Sequence, residues 1–174
     1  MMFSHDGIMD SLTRLAAPPL FYEELHRELS RYERSGDPFS IIRLVLPSKA
    51  NSHGTQRSSD VSTYEMEILN FSETLTRLSR REDMCARIGE REFAILLRGP
   101  ERVAMNFIER VNSKWIVAIE ASLADGGTAY LDFLSAHVVS QAGESALELL
   151  NRLDCQPLVA YLVRFRTDDR TSRH

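Results

Sequence analysis

The spacing of hydrophobic positions along this chain changes from a helical period to continuous apolar runs and back, which predicts a mixture of helices and strands. Residues 18–35 carry apolar side chains at helical spacing, and Pro18 suits the first turn of such a helix. Residues 39–46 are so dense in Ile, Leu and Val that they predict a strand buried on both faces. Between them, Gly36 and the following Asp-Pro predict a turn that ends the helix.

The same pattern, followed to the end of the chain, predicts an α/β fold built on one sheet. Residues 47–60 are polar and predict a long loop, whereas residues 158–165 fit either a strand or a helix. We assign one domain to residues 1–174, with a core over about 8–166 and a charged tail at 167–174. The remaining predicted elements are helices at 61–79, 101–113 and 144–153, and strands at 84–88, 92–97, 115–119 and 131–139.

Composition narrows the class of protein without identifying a function. With 174 residues, 43% hydrophobic and 26% charged, the chain is typical of a soluble globular protein. The net charge of -4 argues against a non-specific nucleic-acid binder, and the sequence contains no apolar run long enough for a membrane span. Cys85 and Cys155 lack metal-site spacing and are expected to be reduced thiols, Cys85 within the core. These features predict a cytoplasmic protein without a metal site.

Several short motifs follow one another along the chain in a specific order. The first consists of Asp10, Leu12, Thr13 and Leu15, with Arg14 between the last two. The others are Phe21, Gly36–Phe39, Asp83, Arg87–Gly89, Glu92–Phe93, Ser135 and Gly143–Ser145. In this order the motifs resemble the GGDEF family, whose active members are diguanylate cyclases; the first fits the family's Asp-x-Leu-Thr-Gly-Leu motif, with Arg14 where glycine is usual. The resemblance covers roughly residues 8–155. It implies a central, mostly antiparallel sheet flanked by helices.

The family's catalytic signature is degenerate in this chain. Active members join two GTP molecules into cyclic di-GMP, a phosphoryl transfer that needs oxygen ligands for Mg²⁺. The resemblance places the metal carboxylates at positions that are Val45 and Arg91 here, and a further acidic position at Pro47. The resemblance therefore implies a protein that is not an enzyme and holds no Mg²⁺. The signature positions are Gly89, Glu90, Arg91, Glu92 and Phe93.

Just upstream, Arg80-x-x-Asp83 matches the family's product-binding motif. A guanidinium can donate two hydrogen bonds to guanine O6 and N7, while a carboxylate accepts hydrogen bonds from N1 and N2. By the same resemblance, Arg110 in the following helix completes the site. The alternative interpretation is that Arg80 and Asp83 form an ordinary solvated ion pair.

Three functions are therefore open. The first is a catalytically inactive receptor that binds cyclic di-GMP and regulates an unidentified protein partner. The second is a protein-interaction module that binds no nucleotide and uses the family's dimer or active-site surface to bind a protein. Without such a partner, residues 90–92 are interpreted as a charged hairpin tip that keeps the turn soluble. The third, residual GTP binding or cyclase activity, is disfavoured by the residues at positions 45, 47, 90 and 91. A homodimer is compatible with all three.

Overall fold

The computed structural model describes residues 3–47, 59–124 and 132–160, which form four helices and five strands. Arg14, in the segment that precedes the first helix, has a positive φ of 61°. The elements are α1 (Pro18–Ser35), β1 (Phe39–Val45), α2 (Ser59–Leu78), β2 (Met84–Arg87), β3 (Glu92–Arg98), α3 (Glu101–Ala124), β4 (Leu134–Val139), α4 (Ala146–Asp154) and β5 (Val159–Ala160).

The five strands form one sheet in the order β2-β3-β1-β4-β5, with every neighbouring pair antiparallel. The central strand is β1, where Ile42 lies opposite Ile95 of β3 on one side and His137 of β4 on the other. This position explains why residues 39–46 are apolar on both faces, as the sequence predicted. The predicted α/β fold with a central antiparallel sheet is confirmed.

Each face of the sheet is covered by two helices. Alternate β1 side chains point to opposite faces, so Ile42 and Leu44 enter one hydrophobic core while Phe39 and Ile41 enter the other. The first core lies under α2 and α3, and the second lies under α1 and α4. The Phe71 ring of α2 lies at the centre of the first core, 4.9 Å from the Trp115 ring of α3.

Local sequence signals set the ends of α1 and α4. Gly36 ends α1 with a φ of 72°, a conformation that glycine adopts without steric cost, and its N–H donates to the Tyr32 carbonyl. Ser145 begins α4 through a capping box with Glu148, in which each side chain bonds the other residue's backbone N–H. The predicted helix at 144–153 is confirmed, with its first helical residue at 146.

The predicted strand at 115–119 is wrong, because this segment belongs to α3, which extends from Glu101 to Ala124. Val111, Trp115 and Ile119 are four residues apart and all buried, so they form one stripe facing the core. The β-branched and aromatic side chains of this segment suggested a strand, but helical packing against α2 and the sheet decides the outcome. Trp115 is buried and packs against Phe71 in the first core.

The other predicted elements are confirmed where the structure describes them. The helix expected at 61–79 is α2, and the two strands expected at 84–88 and 92–97 pair as a hairpin. Within the ambiguous segment 158–165, residues 159–160 form β5 beside β4, and the rest lies outside the described residues. So do residues 48–58 of the predicted loop, residue 131 of the predicted β4 strand and the tail.

Candidate functional site

The turn between α2 and β2 is held by the side chain of Asp83. Its Oδ2 accepts a hydrogen bond from the Arg80 backbone N–H at 2.8 Å, and the Asp83 N–H donates to the Arg80 carbonyl at 3.2 Å. A carboxylate that bonds the backbone three residues earlier closes a compact turn. Within residues 3–47, 59–124 and 132–160, the second oxygen, Oδ1, accepts no hydrogen bond.

The guanidinium of Arg80 does not pair with Asp83. The Arg80 side chain is exposed, and none of the described residues forms a hydrogen bond or an ion pair with its guanidinium. The solvated Arg80–Asp83 ion pair, which the sequence left open, is therefore not the arrangement of this turn. The two side chains instead offer an unpaired donor group and an unpaired acceptor atom at one end of α2.

Arg110 reaches the same turn from α3. Its Nη2 donates to the carbonyl of Leu78, the last residue of α2, and its guanidinium lies 5.5 Å from the centre of the Phe107 ring. A guanidinium at a helix C-terminus satisfies a carbonyl that has no partner within the helix and faces the negative end of the helix dipole. These contacts fix Arg110 beside the Arg80–Asp83 turn.

Arg80, Asp83 and Arg110 line one open groove of about 660 Å³. Its apolar residues include Leu97 and Phe107, which are buried, and Lys114 adds a third cationic side chain that we did not predict. The only sequence signal for Lys114 was its spacing, one helical turn after Arg110. The complete lining is Leu78, Arg80, Asp83, Leu97, Val103, Asn106, Phe107, Glu109, Arg110, Ser113 and Lys114.

The hairpin between β2 and β3 carries a second cluster, in which Arg91 points into the protein. Its Nε donates to the Leu46 carbonyl at 2.8 Å, its Nη2 pairs with the carboxylate of Glu67, and its guanidinium lies 4.9 Å from the centre of the Tyr64 ring. Glu67 is buried, so the Arg91 charge compensates a carboxylate that is largely removed from water. A fully solvated hairpin tip is therefore wrong for Arg91, although Glu90 is exposed.

The other signature residues also have structural contacts. Gly89 donates its N–H to the Glu92 carbonyl at 3.2 Å, which closes the turn of the hairpin. The Glu92 carboxylate pairs with Arg43 of β1 at 3.0 Å. Phe93 is fully buried, with its ring 5.2 Å from that of Phe71. The hairpin is thus integrated into the first core and into the sheet.

The fold relates this chain to structures that are already solved, although no family model matches the sequence. The coiled-coil and GGDEF domain of DgcB from Caulobacter crescentus, in complex with cyclic di-GMP, superposes with a TM-score of 0.68 at 21% identity, over 86% of this chain and 78% of that one. The chain has the fold of a GGDEF domain.

Two further structures with this fold come from Pseudomonas aeruginosa. The GGDEF domain of FimX superposes with a TM-score of 0.62 at 16% identity, over 84% of this chain and 88% of that one. The diguanylate cyclase SiaD, in complex with its activator SiaC, gives a TM-score of 0.59 at 21% identity, over 84% of this chain and 55% of that one. The resemblance inferred from short motifs is confirmed at the level of the GGDEF fold.

The motif at residues 10–15, which matches the GGDEF family, makes structural contacts with the hairpin. Asp10 is fully buried and pairs with Arg87 at 3.2 Å, while it also accepts hydrogen bonds from Thr13. Arg87 donates to the Glu90 carbonyl at 2.7 Å and so links the N-terminal segment to the hairpin turn. The φ of 61° at Arg14 lies in the left-handed region, which explains why glycine is usual at this position of the motif.

Other candidate chemistry in the GGDEF fold is sparse. Across residues 3–47, 59–124 and 132–160, no three His, Cys, Asp or Glu side chains come together as metal ligands. Burial raises the pKa of the Cys85 thiol to about 11, so it is an unreactive core thiol, as expected. None of the helices in the described part of the chain is both long and apolar enough to cross a membrane.

Proposed function

We propose that this chain is a catalytically inactive GGDEF domain that binds cyclic di-GMP in the groove between the α2–β2 turn and α3. The observation that carries the proposal is the convergence of Arg80, Asp83 and Arg110 on one groove. The Arg80 guanidinium and the Asp83 Oδ1 are not engaged by other described residues, so both are available to a ligand.

The chemistry of these groups fits a guanine base. Arg80 can donate to O6 and N7 of the base, and Asp83 Oδ1 can accept from its N1 or N2 hydrogens. Each well-formed bidentate contact contributes about 1–3 kcal/mol of discrimination between bases. The DgcB structure contains cyclic di-GMP, which supports a cyclic dinucleotide as the ligand of this fold. Arg110 contributes positive charge from the same chain.

The residues at the hairpin support catalytic inactivity. The resemblance places metal carboxylates at the positions of Val45 and Arg91, and neither side chain can ligate Mg²⁺. The Arg91 guanidinium is held by Leu46 and Glu67, so a fixed positive charge lies where a cation would have to bind. This donor set does not fit a divalent metal.

Calorimetric titration with cyclic di-GMP tests the receptor proposal. We expect micromolar or tighter binding to the wild-type chain and at least tenfold weaker binding to Arg80→Ala, since one bidentate contact accounts for about that factor. Arg81→Ala is the matched control, because Arg81 is adjacent and exposed but lies outside the groove. A flat wild-type titration would favour the nucleotide-independent interaction module instead.

A separate assay tests whether the chain lacks diguanylate cyclase activity. The purified chain, incubated with GTP and Mg²⁺, is expected to form no cyclic di-GMP above a blank without protein. Formation of cyclic di-GMP would refute the proposed catalytic inactivity. It would not decide whether the groove binds cyclic di-GMP, which the titration measures separately.

The proposed output is a contact with a protein partner that depends on bound cyclic di-GMP. SiaD, which shares this fold, has been solved with its activator SiaC, so a protein with this fold can bind another protein. The partner of this chain is expected to bind differently in the presence and absence of the ligand. Pull-down with and without cyclic di-GMP, using Arg80→Ala as the control, measures that dependence.

A further inference from the structure

The groove contains charged side chains in addition to the three predicted residues Arg80, Asp83 and Arg110. Its lining includes the cationic side chains Arg80, Arg110 and Lys114 and the anionic side chains Asp83 and Glu109. Arg80 and Asp83 lie at the α2–β2 turn, whereas the other three belong to α3. Arg80 and Asp83, the residues proposed to bind guanine, therefore lie on one side of the groove. The charged side chains of α3 lie on the opposite side.

Of the two α3 cations that line the groove, Arg110 and Lys114, Lys114 is the one that no described residue engages. It is exposed, and its ammonium group forms no hydrogen bond or ion pair within residues 3–47, 59–124 and 132–160. Arg110, by contrast, already donates through Nη2 to the Leu78 carbonyl. Both side chains are positively charged, but only the Lys114 ammonium has all its donors available to an anionic ligand on this side of the groove.

Helical spacing places Lys114 beside Arg110 and away from Glu109. Residues four apart on a helix lie on nearly the same face, about 40° from each other, so Arg110 and Lys114 form one positive strip. Glu109 lies about 100° from Arg110 around the helix, because it is the preceding residue. A phosphate in this groove would therefore be attracted to the Arg110–Lys114 strip and repelled from Glu109.

We propose that Lys114 is the phosphate-binding residue of the groove. It pairs with a phosphodiester group of the cyclic dinucleotide, next to Arg110, while Arg80 and Asp83 bind the guanine. A lysine ammonium is a compact point charge and a common phosphate ligand in proteins. This inference rests on the proposed receptor function and adds the residue that recognises the anionic part of the ligand.

Titration of Lys114 variants with cyclic di-GMP at low and high NaCl tests the inference. Lys114→Gln is expected to bind about tenfold more weakly at low salt, because a charge-assisted contact is lost. Its remaining affinity should vary less with salt than that of the wild type, since a screened ion pair has been removed. Lys114→Arg, which keeps the charge, should restore both the affinity and the salt dependence.

Arg102→Gln is the matched control, because Arg102 is an exposed cation of α3 outside the groove and its variant should behave as the wild type. Wild-type affinity and salt dependence in Lys114→Gln would overturn the inference while leaving the receptor function intact. Equal losses in the Gln and Arg variants would also overturn it, because they would indicate loss of the lysine side chain's packing. No binding by the wild-type chain would reject the receptor function and this inference together.

Discussion

Asp83 has two separable tasks at the α2–β2 turn. One carboxylate oxygen accepts the Arg80 backbone N–H at 2.8 Å, and the other faces no described donor. The first oxygen shapes the turn, and in our proposal the second accepts hydrogen bonds from guanine. A substitution that changes only the second oxygen would therefore distinguish folding from recognition.

Asp83→Asn is such a substitution. An asparagine side chain can still accept the Arg80 N–H through its oxygen, but its amide group donates and cannot accept from guanine N1 or N2. We expect an unchanged thermal midpoint and cyclic di-GMP binding at least tenfold weaker, as calorimetry would measure. Asp83→Ala serves for comparison and should also lose about 1 kcal/mol of stability with the turn contact. Wild-type affinity in the Asn variant would contradict the assigned role.

The structural role of Arg91 depends on contacts with residues that are distant in the sequence. In the sequence it is one charge in a Glu-Arg-Glu stretch, which suggested a solvated turn. In the structure it compensates the buried Glu67 carboxylate and binds the Leu46 carbonyl. A buried carboxylate without a cation would be destabilising, so the charge of Arg91 contributes to the stability of the fold.

At the scale of elements, α2 connects the two clusters. Tyr64 and Glu67, near its first turns, contact the hairpin residue Arg91, while Leu78 at its end accepts a hydrogen bond from Arg110. The helix has 20 residues and so spans roughly 30 Å. The contacts that α2 makes with Arg91 and Arg110, at Glu67 and Leu78, are therefore roughly 17 Å apart along the helix axis.

The helical assignment of residues 115–119 can be tested at Val117, which is 59% exposed in α3. Val117→Pro should lower the free energy of unfolding by about 3 kcal/mol, because proline removes a backbone hydrogen bond and clashes with the preceding turn. Val117→Ala should raise it by about 0.5 kcal/mol, since alanine favours a helix. Urea denaturation measures both. Destabilisation by alanine would instead favour the strand that the sequence pattern suggested.

At the scale of the whole molecule, Glu28 joins a helix layer to the sheet. This buried α1 residue pairs with Arg98 at the end of β3 and with Arg31 of its own helix, both at 2.6 Å. Burial alone would raise the pKa of Glu28, but the hydrogen bonds from Arg98 and Arg31 outweigh it and lower the pKa. The charged form is therefore favoured by folding.

This direction predicts a loss of stability in acid. Because folding lowers the pKa of Glu28, its contribution is fully present above pH 4.5, the ordinary pKa of a glutamate, and is lost as the pH falls below that value. Glu28→Gln should destabilise the protein by about 2 kcal/mol at pH 7 and by less at pH 3.5, as urea denaturation would measure.

Glu33→Gln removes an exposed carboxylate from the same helix and controls for the loss of one negative charge. Its denaturation midpoint is expected to stay close to that of the wild type at both pH values. If Glu28→Gln lost as much stability at pH 3.5 as at pH 7, the ionised carboxylate would not be the source of the stabilisation.

The sequence by itself determined the features that depend on neighbouring residues. The continuous apolar run of β1 and the glycine that ends α1 each act within a few residues, so their patterns predicted these elements correctly. The order of motifs predicted the GGDEF fold, and the tetrapeptide Arg80–Asp83 marked the turn that lines the groove.

Only the tertiary structure decided the features that join distant segments. Residues 115–119 became helical because Trp115 packs against Phe71, 44 positions earlier in the chain. Arg91 turned inward because Glu67 is buried beside it, and Lys114 joined the groove because α3 crosses the end of α2. Local spacing carries no information about such partners, since their contacts exist only after the sheet has brought the helices together.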